Sequence, residues 1–312
     1  MIDESINIVL ATDKNYAQHA TVAMTSVLCN TARPEAVHFF VIDDGIDEAN
    51  KAKMRQSVAQ FSAQIDFVCA DTQAFSNVFV SGNLTRAAYL RLDIPNIVPE
   101  AIKKVIYLDC DLLVLADIAE LWRFDMQSKP LAAAEDFGIL SSKGKCAEKA
   151  KNLGWQPQYS YFNSGVLLMD LQQWRQENIS AKLVQLIAEK KFRHHDQDAL
   201  NYLFMNRWAA LPLRWNVIPP VFNMMLRIVW NKTLRRKALV ALADIAILHY
   251  AGGYKPWEYA VYKGFNDKYY EYLSLTEYRD AVMPQPNLKK KKHSISRQLW
   301  RLKWADLVKK IF

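Results

Sequence analysis

Short apolar runs alternate along this chain with longer stretches in which apolar positions recur at helical spacing. The runs fall at residues 6–11, 38–42, 65–69, 105–108, 131–134 and 166–169. Each is short and largely apolar, and those at 105–108, 131–134 and 166–169 hold no polar residue, which is how strands read when both faces of a sheet are covered. Between the first two runs, residues 16–30 carry Ala20, Ala23 and Val27 at helical spacing, and residues 47–61 predict a second helix with Asp47 as its N-cap. The rhythm predicts βαβ units and an α/β fold with a mostly parallel central sheet flanked by helices. Residues 137–162 are rich in Lys, Gly, Ser and aromatics and have no clean period. They are expected to form a mobile excursion over the sheet edge, part of a substrate-covering pocket.

A length of 312 residues at 51% hydrophobic suits one large α/β domain or two small ones. The four cysteines, Cys29, Cys69, Cys110 and Cys146, are far apart and form no Cys-x-x-Cys pair, which suits reduced thiols in a reducing compartment. The first residues carry no basic segment leading into an apolar run, and no stretch of about 18 uncharged apolar residues occurs later, so a cytoplasmic protein is expected. The net charge of +8 is confined to one end: residues 289–312 hold nine Lys or Arg against Asp306, leaving residues 1–288 formally neutral. Pro284, Pro286 and the four lysines at 289–292 end the globular pattern, so the folded domain is expected to span residues 1–283, with a tail at 284–312. Within the tail, Trp300, Trp304, Leu307, Val308 and Ile311 share one helical face, and Arg301, Lys303, Lys309 and Lys310 flank it. A basic amphipathic helix with tryptophans suits an anionic membrane surface, here through residues 289–312. A helix docked on the protein's own body is the alternative. No nucleic acid partner is expected, because nothing basic continues into the domain.

The run at 104–113, Lys-Val-Ile-Tyr-Leu-Asp-Cys-Asp-Leu-Leu, ends in two aspartates, Asp109 and Asp111, one residue apart. A buried strand delivers the residues after it to the carboxyl edge of the sheet, where open α/β folds bind ligands. Two carboxylates in a partly dry cleft need a counter-charge, from a divalent cation such as Mg²⁺ or Mn²⁺, from an Arg or Lys, or by protonation. Asp13, Asn15 and Tyr16 come after the first strand and suit either a nucleoside or a helix cap. Arg91, in Tyr89-Leu-Arg-Leu, suits a phosphate or a structural ion pair. Asp196, Gln197 and Asp198 come after His194 and His195 and before a helix, as ligand groups or caps. In Ile247-Leu-His-Tyr-Ala-Gly-Gly-Tyr-Lys-Pro-Trp, His249 directly ends a strand-like run. Lys255 there supplies a point charge for a phosphate. Imidazole beside two carboxylates suits Mn²⁺ better than Mg²⁺.

These segments, with Tyr-Phe-Asn-Ser-Gly-Val at 161–166, stand in the order seen in glycosyltransferase family 8, which the chain resembles over about residues 6–260. Within it, the resemblance is to the bacterial lipooligosaccharide and lipopolysaccharide galactosyl- and glucosyltransferases, and the basic Trp-containing tail is similar to that of lipooligosaccharide α-1,4-galactosyltransferases. The resemblance implies a Rossmann-like GT-A fold, a UDP-hexose donor, Mn²⁺ with Mg²⁺ as the substitute, and transfer with retention of configuration. It implies an oligosaccharide acceptor on a lipid A core, extended at the inner face of the cytoplasmic membrane. Carried onto matching positions, Asp109, Asp111 and His249 would ligate the metal. Asp13, Asn15 and Tyr16 would hold uridine, Lys255 and Gly252 the diphosphate, and Arg91, Asn163, Asp196 and Gln197 the sugar, with Cys110, between the two metal-binding aspartates, also counted among the donor-binding residues. Asp136 matches an acceptor-contacting position.

Retention requires front-side attack with UDP taking the proton, or an enzyme carboxylate attacking first. Gln197 matches the position facing the anomeric carbon and an amide is a poor nucleophile, so front-side attack is preferred over Asp198 as a covalent nucleophile. Two alternatives belong to other classes. A Mg²⁺-dependent aspartyl-phosphate phosphatase also carries Asp-x-Asp after a strand, but expects it near the amino terminus with Thr or Val where this chain has Leu113. A non-catalytic nucleotide- or glycan-binding protein is the other.

Overall fold

The computed structural model describes residues 5–69, 90–154, 160–190, 192, 195–222, 231–253, 255–258 and 265–281. The domain boundary and tail expected after residue 283 lie outside these, as do Tyr89 and His194. All six expected strands form: β1 (Ile6–Thr12), β2 (Val37–Asp43), β3 (Gln64–Cys69), β4 (Lys104–Leu108), β6 (Leu131–Glu135) and β7 (Phe162–Asp170). Three short ones join them, β5 (Leu112–Val114), β8 (Trp208–Leu211) and β9 (Ile247–His249). The helices of nine residues or more are α1 (Ala17–Asn30), α2 (Glu48–Ala59), α3 (Lys143–Leu153), α4 (Ile179–Glu189), α5 (His195–Leu203), α6 (Lys232–Ala243) and α7 (Phe265–Leu273). Asp47 caps α2 as expected, its carboxylate accepting from Asn50 N at 2.8 Å.

The main sheet runs β3-β2-β1-β4-β7-β6-β8, and β5 pairs with β9 in a separate ladder. Its inner strands β1, β4, β7 and β6 are covered on both faces, which is why their runs are so apolar, whereas the edge strand β3 has no fully buried residue. Ile8 and Leu10 of β1, Ile106 and Leu108 of β4 and Val166 and Leu168 of β7 share one core layer with Ala20, Met24 and Val27 of α1. Their neighbours Val9, Val105, Tyr107, Leu167 and Met169 turn the other way, onto Leu183 of α4 and Ala199 and Leu200 of α5.

The sheet is mostly parallel, as expected, and β7 is the exception: it runs antiparallel to both β4 and β6, while β1, β2, β3 and β4 are mutually parallel. A strand buried on both faces carries the same apolar run whichever way it points, so periodicity does not encode its direction. One expectation needs correction: the segment 137–162 is not a plain excursion. It holds a turn of helix at Phe137–Leu140 and then α3, capped by Ser142 and ended by Gly154 in the left-handed region at φ +63°. Only Lys149 and Leu153 of α3 are buried, too few to print a helical period.

Leu168 is 0% exposed at the centre of β7, opposite Ile106 and Ala132. Leu168→Ala is expected to cost about 2–5 kcal/mol in urea unfolding. A loss below about 1 kcal/mol would mean that the two core layers do not meet through β7 as described.

Candidate active site

The reversed direction of β7 builds the site. β4 ends at Leu108, opposite Val166, and the next main-chain N–H, that of Asp109, donates to Gly165 O at 2.9 Å. Because β7 runs backwards, its first residues, Asn163, Ser164 and Gly165, arrive at the edge where β4 delivers Asp109. The β5–β9 ladder then sets Leu112 opposite His249, and Tyr250 N donates to Asp111 O at 2.8 Å. Ligand atoms of Asp109, Asp111 and His249 thereby come within 4.8 Å of one another.

These carboxylates sit among fixed cations. The Arg91 guanidinium spans two of them, 3.1 Å from Asp109 Oδ1 and 3.2 Å from Asp196 Oδ2, and also donates to Ser164 O at 3.0 Å. Tyr107 OH donates to Asp109 Oδ1 at 2.8 Å. Burial opposes ionisation of Asp111, but His249, 3.1 Å from Oδ1, and Lys255, bonded to Oδ2, overcome it and hold the acid well below the usual carboxylate range. Asp196 moves the other way, raised by burial against the pull of Arg91. Lys255 also donates to Tyr250 O at 2.9 Å.

A line of amides fixes the imidazole. Gly165 N–H, an unambiguous donor, bonds Asn163 Oδ1 at 3.0 Å, so Asn216 must present its nitrogen to that oxygen, at 2.8 Å, and its own oxygen to His249 Nδ1, at 2.8 Å. Nδ1 therefore carries a proton, and Nε2, which faces the aspartates, is the nitrogen a metal ion would take. Two carboxylates and one imidazole so held fit a divalent cation. Gly165 leaves room for them: a Cβ there would lie 2.3 Å from His249 Cε1 and 2.7 Å from Asp109 Oδ2.

Of the residues singled out in the sequence, Arg91, Asp109, Asp111, Asn163, Asp196, Gln197, His249 and Gly252 line one cleft of about 260 Å³. Tyr16 is 38% exposed and feels the Asp111 charge; its phenol is pushed up to about 12, first by burial and then by that charge. The Asp13 carboxylate accepts from the main-chain N–H groups of Asn15 and Tyr16, both at 2.9 Å, a turn-capping role that keeps Asn15 exposed at the end of β1. Cys110 is corrected as a donor-binding side chain: strand alternation turns it away from the two aspartates into the core, where it donates to Ala11 O at 3.3 Å. Asp136 is 7% exposed and reaches the cleft lining through Asn163 and Gln197. Asp196, Gln197 and Asp198 lie inside the first turn of α5 rather than before it. Asp198 is 1% exposed and bound to Lys149 and Tyr161. Sequence reasoning missed Asn216, Ser164 and Gly165 as site-forming groups. Gly165 stood inside a recognised motif, whereas Asn216, in Arg214-Trp-Asn-Val, carries no signal of its own.

The loop after β9 is anchored to α1 by rings. His19 stacks on Trp257 at 3.6 Å between centroids, with Tyr16 edge-on to Trp257 at 6.0 Å, and His19 Nδ1 meets Tyr269 OH at 2.6 Å. Burial, aided by Lys255 and opposed by Asp111, lowers the His19 pKa to about 4.

Comparison with known proteins places this geometry. The profile described as Glycosyl transferase family 8 matches residues 7–260. General stress protein A of Bacillus subtilis is 35% identical over 292 residues, covering 91% of this chain and 99% of that protein. The lipopolysaccharide 1,3-galactosyltransferase of Salmonella typhimurium is 27% identical over 260 residues, 81% of this chain and 73% of its own. The crystal structure of the galactosyltransferase LgtC with donor and acceptor sugar analogs superposes with a TM-score of 0.76 at 28% identity, covering 87% of this chain and 96% of that one. The mostly parallel sheet between helices is thus the GT-A fold.

Two outcomes are expected. Gly165→Ala should keep the fold by circular dichroism but weaken Mn²⁺ binding about tenfold or more in calorimetric titration, since the added methyl displaces His249 or Asp109; unchanged affinity would refute this ligand set. At residue 19 the unfolded chain binds a proton below about 6.5 and the folded chain only below about 4, so stability should fall as pH falls through that window. The expected loss between pH 7 and pH 5, about 2 kcal/mol, should be absent in His19→Gln when both proteins are unfolded in urea.

Proposed function

The chain belongs to glycosyl transferase family 8, and from that premise we propose that it moves a hexose from a UDP-sugar to a saccharide acceptor with retention of configuration. Galactose is the first candidate for the hexose and glucose the second; the acceptor is a lipooligosaccharide or lipopolysaccharide core. The observation that carries the reading is the convergence of Asp109, Asp111 and His249 within 4.8 Å, with Lys255 beside Asp111. Bound there, Mn²⁺ supplies Lewis-acid charge against the diphosphate of the leaving group. Lys255 is placed to share that charge, and Gly252, at φ +93°, lets the main chain approach closely. Asp13, Asn15 and Tyr16, at the end of β1, are the proposed uridine side. Arg91, Asn163, Asp196 and Gln197 are the proposed sugar side.

In front-side attack the bond between the anomeric carbon and the UDP oxygen breaks. The acceptor hydroxyl bonds the same face, and its proton passes to that UDP oxygen. This route asks the chain only to hold the partners and exclude water. Covalent attack by Asp198 would ask a carboxylate to leave Lys149 and Tyr161 and cross behind Gln197, a costly separation of a buried ion pair. Asp136, which bonds Gln197 and Asn163, is the proposed acceptor-side acid. A phosphatase would need an aspartate free to attack phosphorus. Asp109 instead spends Oδ1 on Tyr107 and Arg91.

Two relatives, from Salmonella typhimurium and Escherichia coli, are named as lipopolysaccharide galactosyl- and glucosyltransferases, which supports the acceptor class. No helix among the described residues is long and apolar enough to cross a membrane. On the strength of their lysine run and tryptophan-bearing face, we assign contact with an anionic membrane surface to residues 289–312, which lie outside the described residues.

With Mn²⁺ present, UDP release from UDP-galactose or UDP-glucose is expected. EDTA should abolish it, and Asp111→Asn should lower kcat/KM about a hundredfold. Release that survives both would overturn the metal role, and release from neither donor with lipooligosaccharide present would overturn the transferase. Sedimentation with phosphatidylglycerol vesicles should be lost on truncation after residue 283; retention would move the membrane contact elsewhere.

A further inference from the structure

Behind the cleft lies a buried polar cluster that the proposed chemistry leaves without a task. Lys149 of α3 and Asp198 of α5 form an ion pair at 3% and 1% exposure. Tyr161, just before β7 and 1% exposed, places its hydroxyl 2.5 Å from Asp198 Oδ1 and 3.2 Å from Gln197 Nε2. A buried ion pair is a poor way to gain stability, because desolvation cancels most of the attraction; what it supplies is a fixed charge in a fixed place. Here that charge decides a proton.

A phenol has one proton to donate, and an ionised carboxylate can only accept. With Lys149 holding Asp198 ionised, the Tyr161 proton goes to Asp198 and its oxygen is left to accept. The neighbour it accepts from must be a donor, so Gln197 turns its nitrogen to Tyr161. Asp136 makes the same demand: Oδ1 is taken by Ile139 N at 3.0 Å, and Oδ2 accepts from Gln197 Nε2 at 3.0 Å. On the other side, Ser164 N–H at 3.1 Å and Asn163 Nδ2 at 3.2 Å require an oxygen. Asn163 is itself oriented by Gly165 N–H, so all four partners require one orientation of the amide. Burial, with Asp198 beside it, raises the Tyr161 pKa well above its usual value and keeps the phenol protonated.

We propose that Lys149, Asp198 and Tyr161 are positioning residues that lock the Gln197 carboxamide with its nitrogen inward and its carbonyl oxygen on the Ser164 side of the cleft. The inference rests on the transferase reading for its kinetic consequence. A carbonyl dipole held at the cleft wall stabilises positive charge that develops on the sugar, and an amide that loses one of its four partners holds that dipole less firmly. Asp198 acts through Gln197 and touches no substrate.

The experiment uses the full chain labelled with ¹⁵N-glutamine, the Gln197 side-chain resonance being assigned from its loss in Gln197→Glu. In the wild type its amide protons should exchange slowly. In Tyr161→Phe they should exchange about tenfold faster, while kcat for UDP release falls about tenfold and the donor KM stays within about threefold. Asp198→Ala, which removes the oxygen that takes the Tyr161 proton, should reproduce this if Tyr161→Phe does not fold. Unchanged exchange in both variants would overturn the proposal, as would a fall in kcat that merely tracks a fall in Tm. Rescue of Asp198→Ala by azide with formation of a glycosyl azide would also overturn it, since that is the mark of a nucleophile. If the wild type releases no UDP from UDP-galactose or UDP-glucose, the transferase reading fails, while the amide resonance still decides the orientation.

Discussion

Three carboxylates, Asp109, Asp111 and Asp196, lie side by side at one sheet edge with side chains only 22%, 13% and 13% exposed, and their repulsion has to be answered by charges that cannot wander. An isolated carboxylate so placed costs several kcal/mol. Arg91 answers two of them at once with separate guanidinium nitrogens, a geometry the single ammonium of Lys does not reproduce. Asp111 is answered from another part of the chain, by His249 and Lys255, which the β5–β9 ladder and the loop after it bring over. A cleft of negative charge with partial compensation is what a divalent cation and a diphosphate complete together.

That requirement explains which parts of the fold are rigid. His249 is 3% exposed and tied through Asn216 and Asn163 to the main chain at Gly165, while Asp109 is tied to the same glycine by its N–H. One residue without a Cβ therefore holds two proposed ligands in register, and both strands it touches are buried on both faces. The aromatic stack of His19, Trp257 and Tyr269 does the same for the loop bearing Lys255, by apolar contact rather than charge. Moving any one of these supports shifts a ligand by a side chain's width, and metal geometry tolerates far less.

Much of this was legible in the sequence because buried strands leave short apolar runs, and all six runs form strands at the expected places. Charged groups at the ends of those runs were legible too: Asp109, Asp111 and His249 converge because each ends a strand or lies just beyond one. What stayed hidden was relational. The direction of β7 depends on how the chain crosses over, which no local period records, yet it decides that Asn163 and Gly165 reach Asp109 at all. Helix α3 was invisible because it is lysine-rich and buries only two residues, one of them Lys149. Asn216 was invisible because its role lies in what its two ends touch.

The hidden elements also divide the site by the kind of force that builds it. The side proposed for the donor is held by full charges, which act over distance, tolerate modest movement and suit a diphosphate whose own charge dominates binding. Around Gln197 the site is built instead from amides, a phenol and the capped carboxylate of Asp136, which act only at contact distance and in one orientation. Sugars that differ in the configuration of one hydroxyl are told apart by contacts of this second kind, because a misplaced hydroxyl leaves a buried partner unpaired. Asp136 begins the short helical turn at Phe137–Leu140, and Phe137 packs against Leu234 and Ala238 of α6, outside the central sheet. Substitutions on that outer packing can therefore move Asp136, and with it the surroundings of Gln197, while Arg91, Asp109, Asp111 and His249 remain where the sheet holds them.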